Sequence, residues 1–188
     1  MKSSLALLIV FLLWGSDLSV RPSSAADLYH GQVIDQETGE PLVGAAVTVI
    51  WYKTAALYID RPLYFQNAQE TVTDSQGNFS LLVSPGIDWN PLTVIINEPD
   101  IVIYQPGYEP VYSTWLVRMG FKSMEEFAAA LKKGAVVKLL KLKTNEELRK
   151  FSDIDIHPHV PNSQIPNLVR VINIQRRHLG LQPFPEGK

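Results

Sequence analysis

Near the C-terminus the chain reads Asp153-Ile154-Asp155-Ile156-His157-Pro158-His159. In an extended segment every second side chain stands on the same side of the backbone. Asp153, Asp155, His157 and His159 would then form one row of oxygen and nitrogen donors, a set that suits zinc or another divalent ion. The competing reading is a polar surface loop, because donor types in a row do not by themselves define a coordination geometry. A second group is aromatic. Trp51, Tyr52, Tyr58, Tyr64 and Phe65 fall in one hairpin-like stretch. Rings bury large area at low entropy cost, so this stretch is a candidate partner-binding surface; alternatively, it caps one open end of a layered fold. Trp89 and Trp115 are read as core or rim packing, and His30 and His178 as structural or exposed.

Catalytic signatures are missing from the 188 residues. There is no His-Glu-x-x-His, no Gly-x-Ser-x-Gly and no phosphate-cradling glycine loop. The chain holds no cysteine, which excludes thiol catalysis, disulfides and lipid attachment through an N-terminal cysteine. The sequence therefore assigns no catalytic residue and no cofactor other than a divalent metal at the Asp153–His159 cluster.

The elements that would position these groups are strands for most of the chain. Val47, Val49 and Trp51 alternate with Thr48, Ile50 and Tyr52, and Phe79, Leu81 and Val83 alternate with Asn78, Ser80 and Leu82. Strands are expected at 28–35, 45–57, 63–73, 78–83, 92–96, 101–104 and 136–142. Asp74-Ser75-Gln76-Gly77 reads as a hairpin loop in which glycine takes the positive φ; Gly39 plays the same part in the turn before Pro41. The period then changes to about 3.6. Ser123 and Glu126 resemble a capping box, as do Thr144 and Glu147. Met124, Phe127, Ala128 and Leu131 share one helical face. Pro166 opens a last helix whose stripe is Ile165, Leu168, Val169, Ile172 and Leu179, with Gly180 closing it.

The ordered pattern Gly31-x-Val33-x-Asp35, Thr38-Gly39-x-Pro41-Leu42-x-Gly44-Ala45-x-Val47, Thr71-x-Thr73-Asp74-x-x-Gly77-x-Phe79 resembles the carboxypeptidase regulatory-like domain. Gln105-Pro106-Gly107-Tyr108 is similar to the Gly-Tyr that often follows a later strand of that family. The resemblance covers about 28–112. It implies a transthyretin-like, prealbumin-like antiparallel β-sandwich and an accessory, non-catalytic role. Related sandwiches include metal-dependent enzymes: intradiol dioxygenases hold iron with two Tyr and two His. Hydroxyisourate hydrolases end in Tyr-Arg-Gly-Ser, where this chain ends Pro-Glu-Gly-Lys.

Residues 1–26 read as a secretory signal: Met1-Lys2, the apolar run Leu5 to Trp14, and Ser24-Ala25-Ala26 for cleavage before Asp27. The alternative is an uncleaved N-terminal anchor. A bacterial periplasm or exterior is the expected location, with no membrane span once the signal is removed. Charge divides unevenly. Residues 27–131 hold 4 basic and 13 acidic residues, and 132–188 hold 11 and 5. The basic tail is expected to dock on its own acidic sandwich; an anionic envelope lipid or polysaccharide is the other taker. Nucleic acid is not an expected partner.

The predicted organisation is a signal (1–26), a β-sandwich with a helical insertion near 122–133 (27–143) and a C-terminal helical extension (144–188). The predicted fold class is mainly β with about three helices. The predicted function is an exported, non-catalytic accessory protein that binds an envelope protein or glycan; the alternative is a metal-binding protein or metal-dependent enzyme.

Overall fold

A computed structural model describes residues 26–56, 62–96, 98–112, 116, 120–153 and 160–186. The first strand, β1 (Asp27–Asp35), is central to one sheet. The second, β2 (Ala46–Ala55), is central to the other and pairs with β3 (Leu63–Val72). After the Asp74–Gly77 turn, β4 (Asn78–Val83) returns antiparallel to β1. Two shorter strands, β5 (Thr93–Ile95) and β6 (Asp100–Tyr104), share the remaining edge of β2. A last strand, β7 (Ala135–Leu139), runs parallel to β1. Among the described residues the sheets are therefore β4-β1-β7 and β3-β2-β5, with β6 also on β2. They face each other as a β-sandwich, as the alternation predicts.

Val33, Phe79, Val83 and Val137 from the first sheet meet Val47, Val49, Trp51, Ile101 and Ile103 from the second. Burying each such side chain contributes about 1.5–3 kcal/mol before the entropy of ordering it. The turns fix the register. Asp74 Oδ1 accepts from Gln76 N and Asn78 N, both at 2.8 Å. Gly77 has φ 73°, and a Cβ there would lie 2.5 Å from the Val33 carbonyl oxygen, so the site excludes other residues twice over. Asp35 closes the first turn: its Oδ1 accepts from Glu37 N at 2.7 Å and Thr38 N at 3.0 Å, while Tyr108 donates its hydroxyl to Oδ2 at 2.9 Å.

The first helix, α1 (Met124–Lys132), places Met124, Phe127, Ala128 and Leu131 in the inter-sheet core. Its capping differs from the expected box. Ser123 does accept from Glu126 N, but the Glu126 carboxylate reaches Lys122 N at 2.7 Å rather than Ser123 N. The short α2 (Asn145–Lys150) has the full reciprocal box between Thr144 and Glu147. The C-terminal α3 (Pro166–His178) lies on the outer face of the second sheet, where Ile165, Leu168, Val169 and Ile172 meet Ala46, Val102 and Tyr104. The whole predicted stripe, Leu179 included, is buried.

This covering changes the reading of β2. The sequence suggests two unlike faces, yet Ala46 through Tyr52 are all buried. One face meets the inter-sheet core and the alternate positions Ala46, Thr48, Ile50 and Tyr52 lie on the α3 side. A strand covered on both sides is written as a nearly continuous apolar run.

The latch that seats α3 is Glu70 of β3. Ile165 gives no side-chain cap and Pro166 has no N–H, so two orphan donors remain at the helix start. Glu70 takes both, with Oε2 accepting from Asn167 N at 2.8 Å and Oε1 from Leu168 N at 3.0 Å. Further along, Gln175 accepts from Gly107 N at 2.9 Å and donates to Leu148 O at 2.8 Å. The tail is tied by Asn173, which donates to Phe184 O at 3.0 Å and accepts from Phe184 N at 2.7 Å. Charge adds a smaller term: Lys132 pairs with Asp27 and Lys143 with Glu37, each at 2.8 Å. Such exposed pairs, screened by solvent, contribute little. The expected docking of the basic tail therefore rests more on apolar burial and buried amides than on opposite fields.

Candidate functional site

The segment between β4 and β5 crosses from one sheet to the other at one end of the sandwich. It carries Ile87, Trp89 and Leu92, all exposed, and Trp89 is 86% exposed. An exposed indole on a fluctuating loop would be unremarkable; this loop is braced. A register shift opposite Trp51 and Tyr52 makes Gln66 an extra residue in β3. Gln66 Nε2 reaches the Pro85 and Ile87 carbonyls at 3.4 Å each. Its neighbours do the same, Asn67 Nδ2 to Ser84 O at 2.9 Å and Gln69 Nε2 to the same oxygen at 3.1 Å. Gln69 Oε1 also accepts from Ser84 N at 3.2 Å.

The far side is fixed by Asp88. Its carboxylate accepts from the Thr93 hydroxyl, from Asn90 N at 3.1 Å and from the Lys53 ammonium at 3.3 Å. The Thr93 hydroxyl bond leads in holding the Asp88 carboxyl below its usual range, and the Asn90 N–H and Lys53 add to it. Asp88 is thus an ionised anchor rather than a group free to move protons. Asn90 Oδ1 then caps Leu92 N at 3.0 Å. Trp89 sits between two side chains that are each folded back onto the loop. Tyr64, also exposed, lies directly opposite Lys53 in register and shares its face. The result is a preorganised apolar projection, the kind of rigid aromatic anchor that carries binding energy at interfaces.

The predicted aromatic surface is brought together only in part. Trp51 and Tyr52 are 4% exposed each and belong to the buried body of β2. Burial pushes the Tyr52 phenol well above its ordinary value, with Asp100 adding to it. Tyr64 is exposed, Phe65 is half-buried, and Tyr58 lies outside the described residues. Trp89 corrects the expectation of core or rim packing, because the turn groups on either side of it hold the ring outward. Trp115 lies outside the described residues. The signal that could have found Trp89 is its setting between Ser84-Pro85-Gly86 and Asn90-Pro91.

Of the candidate metal ligands, Asp153 is exposed and pairs with Arg176, whose guanidinium also donates to Ser152 O at 3.1 Å and Gln182 O at 2.7 Å. Asp155, His157 and His159 lie outside the described residues. Among the described residues no group of three or more His, Cys, Asp or Glu could hold a metal ion. No described helix is long and apolar enough to cross a membrane, and the predicted signal (1–26) lies outside the described residues but for Ala26.

The molecule is a mainly β two-sheet sandwich with appended helices. No family model matches the chain, and no curated protein matches it. Among solved structures, a 9R-lipoxygenase from Cyanothece PCC8801 overlaps 60% of this chain at 17% identity and a TM-score of 0.26, and the chain spans 14% of the lipoxygenase's length. An alternative pilotin from the type II secretion system of Vibrio cholerae overlaps 64% of this chain and the whole of its own at 15% identity and a TM-score of 0.26. Overlaps this loose assign neither family nor activity.

Proposed function

We propose that the protein is an exported, non-catalytic binding module of the bacterial envelope, a sandwich of the carboxypeptidase regulatory-like kind, and that the Trp89 loop is its contact surface. The observation that carries this reading is an indole 86% exposed on a loop whose backbone is held by Gln66, Asn67, Gln69 and Asp88. Large exposed apolar groups on rigid supports mark interaction sites. The family reading is supported by the quoted turn residues: Asp35, the residue before the first turn, receives the hydroxyl of Tyr108 from the Gly107-Tyr108 pair.

The partner is an envelope protein or glycan, and the protein works in the periplasm or outside the cell. Mass spectrometry of the native N-terminus tests export, with Asp27 expected as the first residue. Sedimentation of native envelope fractions tests the contact surface. Wild-type protein should travel with an envelope component, and Trp89→Ser should not. Equal co-sedimentation of the two would remove the loop from the function.

A further inference from the structure

At the end of the sandwich where β1 begins, a cavity of about 500 Å³ opens between α1 and the sheets. Small-ligand sites occupy roughly 300–1,000 Å³. Tyr29 and Trp51 supply aromatic wall, and Ala128 and Ala129 of α1 leave the space unfilled. Asp27, Glu98 and Glu125, all exposed, lie at its rim with Lys132. Lys132 is already taken by Asp27 at 2.8 Å. Among the described residues no ion pair engages Glu98 or Glu125. Tyr29 is 3% exposed and lines the cavity. Burial, with the Asp27 charge behind it, pushes this phenol up to about 12, so at neutral pH it is an uncharged donor and acceptor.

We propose that this cavity binds an organic cation on an apolar stem, an ammonium or guanidinium whose carbon chain packs against Tyr29 and Trp51 while Glu98 and Glu125 receive its charge. The surrounding segment, residues 27–131, is acidic by nine charges, 4 basic against 13 acidic, and favours the same sign of ligand. Aromatic faces add cation–π attraction. The loop bearing Trp89 follows Val83 and Pro85, which also line the cavity, so one partner could fill both. The inference rests on the binding-module reading and names what a partner presents: an arginine or lysine side chain, or the same chemistry on a free amine.

The test is titration of purified protein with benzamidine and its neutral isostere benzamide, followed by calorimetry and amide NMR. Benzamidine should bind at least about tenfold more tightly, equivalent to 1.4 kcal/mol, and shift the amides of Ala128 and Ala129. Glu98→Gln with Glu125→Gln should erase the preference, and Ala129→Trp should occlude the site; all three positions are exposed, so folding is not at stake. An acetylated Leu-Arg-Leu amide that displaces benzamidine assigns the cation to a polypeptide. If benzamidine binds and the peptide does not displace it, the site serves a small amine. Equal binding of benzamidine and benzamide, or no saturable binding, overturns the site. Its failure with Trp89-dependent sedimentation intact would leave the proposed function standing; the reverse would leave only the cavity.

Discussion

Replacing Glu70 with alanine tests how α3 is seated. Three donors converge on this carboxylate: the Thr48 hydroxyl at 2.8 Å, Asn167 N at 2.8 Å and Leu168 N at 3.0 Å. Each hydrogen bond to a charged group contributes about 1.5–3 kcal/mol when removed alone. Desolvation of the half-buried carboxylate works against them and is the larger influence, since the Glu70 carboxyl sits above its ordinary 4.5. Alanine removes both terms, so the net loss should be that of a helix cap plus a stranded Thr48 hydroxyl, about 2 kcal/mol. For a domain of this size that is a fall of about 4–8 °C in Tm. Glu70→Gln keeps an acceptor and sheds the half-buried charge, and should cost less than about 1 kcal/mol. Because the folded-state pKa is raised, the stability attached to this proton is complete below 4.5 and declines as pH rises through the folded value. Glu70→Gln should flatten that slope. Circular-dichroism melts and amide exchange at Asn167 and Leu168 give the readout. Unchanged Tm and unchanged exchange in Glu70→Ala would refute the latch.

Further outcomes follow from the turns and the loop. The backbone N–H groups of Thr38 and Glu37 and the Tyr108 hydroxyl, with Lys141 nearby, hold the Asp35 carboxyl below its ordinary 3.8 against the pull of burial. Its stabilisation should be present above 3.8 and lost as pH falls through the folded value; Asp35→Asn should weaken that acid loss in urea titrations between about pH 6 and 2. Gly77→Ala should destabilise by about 2 kcal/mol or more, since positive φ and a 2.5 Å approach to Val33 O both oppose a methyl group; a melt within 1 °C of wild type would contradict this. Trp89→Ser should leave Tm nearly unchanged, within about 0.5 kcal/mol, as for other exposed substitutions.

What the sequence displayed was the local part of this. Alternation marked Phe79, Leu81 and Val83 as strand, and the Thr144–Glu147 box and Gly180 stop are seen as expected. These signals lie within a few residues of one another. Glu70 was silent because the helix it caps begins about a hundred residues later in the chain. Trp51 and Tyr52 misled for a related reason: an aromatic run is written alike whether distant elements cover it or not, and here Trp51 is packed between the sheets while Tyr52 is buried on the opposite face of β2. Trp89 erred the other way. Its apolar type suggests burial, and only the amide braces from Gln66, Asn67 and Gln69 reveal a loop that holds the ring in water. The parallel pairing of β7 with β1 also leaves no local mark, since register between distant strands is set by packing.

The central claim is that the Trp89 loop touches the protein's natural partner. A photo-crosslinking residue placed at 89 in native cells measures this directly, with exposed Glu146 of α2 as the control position. A discrete adduct at 89, absent at 146 and weakened when Tyr64 is changed to serine, is the predicted result. Equal adducts at both positions, or none at 89 in cells where the protein is exported and folded, would contradict it.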